Sequence, residues 1–194
     1  MNDQLLWYTT RASGTISLIF LTAVVVVGLL ARLRFETAGW PRFLSAALHG
    51  NLALMTLVFL AVHIVTAVVD PFTSLGITPV LIPFGSSYRT FWLGLGTVSL
   101  ELILAIIATS LLRNRIGAQA WRLVHWLAYV SWPIAVLHGL GTGTDPRSVW
   151  LMGITILCCL SVASVLVWRL VAAPVDPLAE ARQRAAGASR VAGP

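Results

Sequence analysis

The sequence predicts an all-α protein: a polytopic membrane helical bundle of about five transmembrane helices. Three observations carry that prediction. The chain of 194 residues is 58% hydrophobic and 10% charged, its mean hydropathy is +0.87, and its apolar residues fall in runs long enough to cross a bilayer core, which takes roughly 20 residues of helix. A soluble domain of this length carries far more charge.

The five runs are approximately Gly14–Ala31, Phe43–Val69, Thr90–Leu112, Trp121–Leu140 and Val149–Val171. The first ends in Ala31-Arg32-Leu33-Arg34 with no small-residue cleavage site after it, so it reads as a span rather than a cleaved leader. Asp70-Pro71 ends the second. The segment from Pro71 to Tyr88 mixes Gly and Pro with a short apolar stretch, Ile77 to Phe84, and reads as a re-entrant or interfacial cap. Residues 1–171 form the membrane domain, and 172–194, rich in Ala, Gly, Arg and Pro, read as a short flexible cytoplasmic tail. Trp7, Tyr8, Trp40, Trp121 and Trp150 lie near span ends and read as interfacial anchors.

All 13 basic residues are arginine, a bias that matches a GC-rich bacterial genome and a bacterial plasma membrane. Their placement gives the orientation. Arg32, Arg34, Arg42, Arg113, Arg115, Arg122, Arg169, Arg182, Arg184 and Arg190 fall on one side, and Arg11, Arg89 and Arg147 on the other. The positive-inside rule then puts the C-terminus in the cytoplasm and the N-terminus outside. The net charge of +6 follows from this topology. No basic stripe with interleaved aromatics is present, so the charge implies a lipid membrane and no nucleic acid. Cys158 and Cys159 are adjacent in an apolar run, an arrangement that suits packing and neither a disulfide framework nor a zinc site.

The chemistry-bearing residues are the histidines. His49 and His63 lie in the second span, His125 and His138 in the fourth, and these are all the histidines in the chain. An ionisable side chain within a span needs a reason to be there. A single one reads as a buried imidazole hydrogen-bonded to a neighbouring helix; two pairs at similar spacing read as axial ligands of two haems held between the second and fourth helices. The two helices run in the same direction, so the pairing crosses between them: His49 with His125 near the cytoplasmic face, His63 with His138 near the outer face. Fourteen residues of helix rise about 21 Å and thirteen about 19.5 Å, which stacks the pairs one per leaflet.

Helical azimuth supports one helix and challenges the other. At about 100° per residue, His63 returns to within about 40° of His49, while His138 lies about 140° from His125. Pro133 sits between the latter pair, and the mismatch predicts a tightened turn and irregular geometry around Ser131–Pro133. Small residues flank the histidines: Ala46, Gly50 and Ala53, then Ala128, Ala135, Gly139 and Gly141. They leave room for a flat macrocycle and equally serve helix packing in lipid.

Arg122, one turn before His125, is placed either for a haem propionate or simply for topology, and Arg42, Tyr88 and Arg89 are looser candidates of the same kind. Glu101 lies mid-span. Its carboxyl reads first as a structural group bonded to another helix, and otherwise as a proton relay or a tuning charge between the two haem levels. Trp132 and Phe59 lie midway between the histidines of their helices, as packing residues or as occupants of the space between haems.

The paired H-x13-H and H-x12-H spacings resemble the ferric reductase-like transmembrane domain shared by ferric reductases and NADPH oxidases. The stretch Arg122 to Asp145, through His125, Pro133, His138 and Gly139-Leu-Gly141-Thr-Gly143, is similar to bacterial members of that family. The chain also resembles the haem-binding subunit of periplasmic methionine sulfoxide reductase, a relative without a dehydrogenase module. The resemblance implies two haem b groups with iron bound by His49, His63, His125 and His138. It implies transmembrane electron transfer to an extracytoplasmic acceptor: ferric iron, oxygen or a redox partner protein. It departs from the family's fuller members in having five spans and no G-x-G-x-x-G nucleotide fingerprint. That makes the chain an oxidoreductase membrane subunit served by a separate electron donor, a flavoprotein or quinol, with any flavin on that partner. The alternatives are a haem-containing or structural subunit of a larger membrane redox complex and a histidine-dependent transporter; few carboxylates in the spans argue against the transporter.

Overall fold

The computed structural model describes residues 3–32, 41–71, 75–142 and 148–171, and among them every regular element is helical. Arg34, Trp40, Asp145, Arg147 and the 172–194 tail lie outside the described residues, as does the side chain of Arg42. The elements are α1 (Asp3–Arg32), α2 (Arg42–Val69), the one-turn α3 (Thr78–Leu81), α4 (Thr90–Leu111), α5 (Arg113–Ile116), α6 (Ala118–His125), α7 (Ala128–Thr142) and α8 (Val149–Val171). Five segments are long and apolar enough to cross a membrane, with α6 and α7 together making the fourth.

The first helix starts at Asp3, three turns before the apolar run that announced it. The hydroxyls of its polar first turns are satisfied within the helix: Thr9 donates to the Leu5 carbonyl, Ser13 to Thr9, Thr15 to Arg11 and Ser17 to Ser13. The Arg11 guanidinium lies 4.7 Å from the Trp7 ring centre, so that charge too is matched locally. α2 stops where Asp70-Pro71 ends it, the Asp70 N–H closing the last turn on the Thr66 carbonyl.

α1 is the hub: it packs along α2 and also touches α7 and α8, while α4 packs on α7. A small apolar cluster of Val25, Leu29 and Val162 joins α1 to α8, with Tyr129 and Trp132 against it. The Trp132 Nε1 donates to Thr22 Oγ1 at 2.9 Å, and the Phe59 ring stacks on Phe20 at 5.6 Å. Both aromatics therefore bind α1 to its neighbours, as packing residues. Elsewhere large apolar side chains such as Leu104, Leu157 and Val167 face outward, the surface expected of helices immersed in lipid. Cys158 and Cys159 are free thiols in α8.

The cap over the α4 end is held by Thr97, whose hydroxyl donates to the Pro79 carbonyl at 2.6 Å. Thr97 lies seven residues inside α4, so α3 dips about 10 Å along the bundle, as a re-entrant segment does. The Phe84 ring occupies the space a side chain would need at Gly94. Arg89 donates from Nη1 to the Gly141 carbonyl at 2.6 Å, capping the end of α7 with a cation. Glu101 is exposed on the outer face of α4, which removes it from the space between the histidine levels.

The irregularity of the fourth span lies at Trp126–Val130, one turn before the Ser131–Pro133 segment that the sequence points to. The N–H groups of Leu127, Tyr129 and Val130 bond three residues back, to Val124, Trp126 and Leu127. Such a turn advances about 120° per residue instead of about 100°. Over the five steps from His125 to Val130 that adds up to about 100°, which brings His138 to within about 40° of the face of His125. Pro133 itself sits inside α7, where it offers no N–H to the carbonyl one turn back.

Trp132→Phe should lower the stability of the bundle by about 0.6–1.7 kcal/mol, the range of interhelical hydrogen bonds in membranes. Equilibrium unfolding in mixed detergent micelles measures it.

Candidate functional site

The structure brings the four histidines together across the helices. The ring centres of His49 and His125 are 6.1 Å apart with the planes at 53°, and those of His63 and His138 are 6.3 Å apart at 81°. A bound imidazole nitrogen stands about 2 Å from a metal and about 1.1 Å from its own ring centre, so two rings on opposite sides of one iron have centres about 6 Å apart. Both pairs have that separation. Among the described residues there is no group of three or more His, Cys, Asp or Glu side chains able to hold a bare ion. Two facing imidazoles suit a macrocyclic metal that brings its own equatorial ligands.

The protonation of the rings follows from their partners. His63 Nδ1 lies 2.8 Å from the Thr10 carbonyl, His49 Nδ1 3.1 Å from that of Val24, and His138 Nδ1 2.8 Å from that of Trp92. A carbonyl only accepts, so in each ring Nδ1 carries the proton and Nε2 keeps its lone pair. In the neutral ring Nε2 is thereby left free for a metal, and an Nδ1–H held by a carbonyl is the arrangement common among metal-binding histidines. The Thr142 hydroxyl adds a contact to His138 Nδ1 at 3.1 Å while donating to the His138 carbonyl.

Glycines admit these contacts. One turn after each accepting residue stands a glycine: Gly14 after Thr10, Gly28 after Val24, Gly96 after Trp92. A Cβ at Gly14 would lie 2.8 Å from His63 Nδ1, at Gly96 2.5 Å from His138 Cε1, and at Gly28 3.4 Å from His49 Cε1. The bare backbone lets each ring lie flat on its neighbour helix and reach the carbonyl one turn back. On the histidine helices themselves, Gly50 and Gly139 are exposed and a Cβ at either would have nothing within 4 Å, whereas one at Gly141 would meet the Trp92 ring.

His125 differs. Its Nδ1 is buried without a hydrogen-bond partner, and its ring packs on Trp121 with centres 5.0 Å apart. Trp121 thus does more than anchor an interface: it also donates from Nε1 to Ser110 Oγ on α4 at 3.2 Å. A cavity of about 290 Å³ opens around the other pair, lined by His63, His138, Gly14, Gly96 and apolar residues, with Arg11 and Tyr88 among its polar lining. Arg122 is exposed on α6, one turn before His125.

Sequence reasoning found the histidines and missed the helix backbones that seat them, together with Arg11 as a cavity residue. A signal was present: Gly14 and Gly28 are separated by the same 14 residues as His49 and His63, as an antiparallel helix with matching contact points requires.

No match was found among curated proteins or among solved structures. A family model described as the ferric reductase like transmembrane component matches residues 13–136, a stretch holding His49, His63, His125 and all three seating glycines and stopping two residues short of His138. With more than half of its 194 residues matched, five segments among the described residues long and apolar enough to cross a membrane and histidines facing one another in two pairs, the chain belongs to the ferric reductase-like transmembrane family.

Proposed function

We propose that the protein carries electrons across a bacterial plasma membrane through two b haems, each bound by one histidine of α2 and one of the α6–α7 span. The observation that supports this most directly is the facing of the rings at 6.1 and 6.3 Å, with three of the four Nδ1 atoms on carbonyls. The family typically binds haem, and a haem between imidazoles supplies reversible one-electron storage at its iron.

The protein's own contribution is positional. His49 and His125 hold the group near the cytoplasmic face, and His63 and His138 the one near the outer face. Backbone carbonyls orient three of the imidazoles, apolar walls exclude water, and Arg122 at one end and Arg11 with Tyr88 at the other are placed to meet propionates. Electrons enter from a separate cytoplasmic flavoprotein or a membrane quinol. They leave to an extracytoplasmic acceptor: ferric iron, oxygen or a docked redox protein.

A second reading, a subunit of a larger membrane redox complex, has one observation in its favour. Glu101 is exposed on the surface of α4 halfway along a span, where a carboxyl in contact with lipid is costly and a neighbouring subunit's donor would relieve it. Glu101→Leu should then release that neighbour from the complex purified in mild detergent, whereas a chain acting alone keeps its size.

The pyridine haemochrome assay on the haem-loaded protein should give two haems per chain. His63→Ala and His138→Ala should each remove one and the same haem, as should His49→Ala and His125→Ala for the other. A chain with no Soret absorbance after expression with ample haem sinks the proposal. Reporter fusions at the C-terminus should report a cytoplasmic location and fusions at the N-terminus an external one; the reverse result overturns the orientation.

A further inference from the structure

The two pairs are built alike at three positions and differently at the fourth, and the difference has an identifiable cause. On α1, Thr10 with Gly14 seats His63 and Val24 with Gly28 seats His49; on α4, Trp92 with Gly96 seats His138. The seat that α4 would offer His125 can be located by register. α4 runs against the fourth span with Arg89 on Gly141, Trp92 on His138, Ser99 on Ser131 and Ser110 on Trp121. Those pairs advance in step, which sets Ala105 level with His125. One turn after Ala105, where the other three seats have glycine, stands Thr109. Its hydroxyl donates to the Ala105 carbonyl at 2.7 Å and to that of Ile106 at 3.1 Å. The hydroxyl alone does not set this level apart, since the Thr10 carbonyl that seats His63 also accepts from the Ser13 hydroxyl at 3.2 Å. What the fourth level adds is a Cβ where the other three seats are bare, and His125 Nδ1 is left buried without a partner.

We propose that Gly14, Gly28 and Gly96 are positioning residues which open a backbone carbonyl to a ligand imidazole, and that Thr109 withholds the fourth carbonyl. The haem at His49/His125 is in consequence held less tightly, and reduced more readily, than the haem at His63/His138. An Nδ1–H bonded to a carbonyl makes the imidazole a stronger donor to ferric iron and fixes its orientation. His63 and His138 both have that support, and His138 has Thr142 besides. In the other pair only His49 has it. Outer-shell partners of this kind are worth about 10–100-fold in metal affinity. The inference rests on the two-haem reading and concerns residues other than the four histidines.

The test uses the full chain loaded with two haems in lipid nanodiscs. Haem transfer to excess apomyoglobin should be biphasic, with the fast phase about 10–100-fold quicker than the slow one. His125→Ala should abolish the fast phase and His138→Ala the slow one. A potentiometric titration should show two transitions, the higher belonging to the His49/His125 haem. Thr109→Gly, which removes the hydroxyl and frees the carbonyl, should slow the fast phase and lower the higher potential. Thr109→Ala removes the hydroxyl but keeps the Cβ that the other seats exclude, and should leave the fast phase close to that of the wild type. Gly96→Ala should speed the slow phase and raise the lower potential. Gly153→Ala, on α8 with nothing within 4 Å of the added Cβ, should move neither. Equal release of both haems from the wild type overturns the inference, as does an unchanged fast phase in Thr109→Gly. A wild type that binds no haem overturns the two-haem reading beneath it.

Discussion

An imidazole placed between membrane helices has one nitrogen for a metal and one N–H that needs an acceptor where water is absent. The acceptors within reach are helix carbonyls already bonded along their own helix, and each has a second lone pair to give only if the approaching ring can come alongside. The rest of the structure depends on that approach. It sets how close α1 must lie to α2 and α4 to α7, and it excludes even a methyl group at Gly14 and Gly96. Packing of small residues, which drives helix association in lipid, here also orients the candidate ligands.

This constraint explains why α1, with no histidine of its own, is the hub of the bundle. It runs antiparallel to α2 with Thr10 level with His63 and Val24 level with His49, so one helix supports one histidine from each pair. Its other side takes Trp132 on Thr22 and packs Val25 and Leu29 against α8. α1 thereby fixes the distance between the helices whose histidines face each other.

The fourth span shows a different solution to a register problem. Thirteen residues of uniform helix would turn one of its histidines away from α2. A tightened turn from Trp126 to Val130 makes up most of the angle, and it does so directly after His125. That His125 occupies the last residue of α6 and lacks the carbonyl seat of its counterparts places the departure from symmetry at a single ligand. The cap built from α3, Phe84 and Arg89 closes the opposite end of the bundle, beside the cavity of the His63/His138 pair.

Hydrophobic run length and histidine spacing were sufficient, by themselves, for the number of spans, the helical class and the cross-pairing of His49 with His125 and His63 with His138. These follow from local periodicity and from topology, both of which are linear properties of the chain. The start of α1 was not legible, because Thr9, Thr10, Arg11 and Ser13 interrupt the hydrophobic run that marks a span, while the Thr9 and Ser13 hydroxyls find partners inside the helix. Nor was the position of the helix break: proline announces a disturbance, but the turn that absorbs it is chosen by the need of both His125 and His138 to face α2. Glu101 read as interior from its position and is exposed, since no single-helix pattern says which side neighbours will cover. Which carbonyl seats which imidazole, and why His125 has none, only the tertiary structure decided, because those contacts join residues 25 to 53 positions apart whose relation exists only once helices are packed in register.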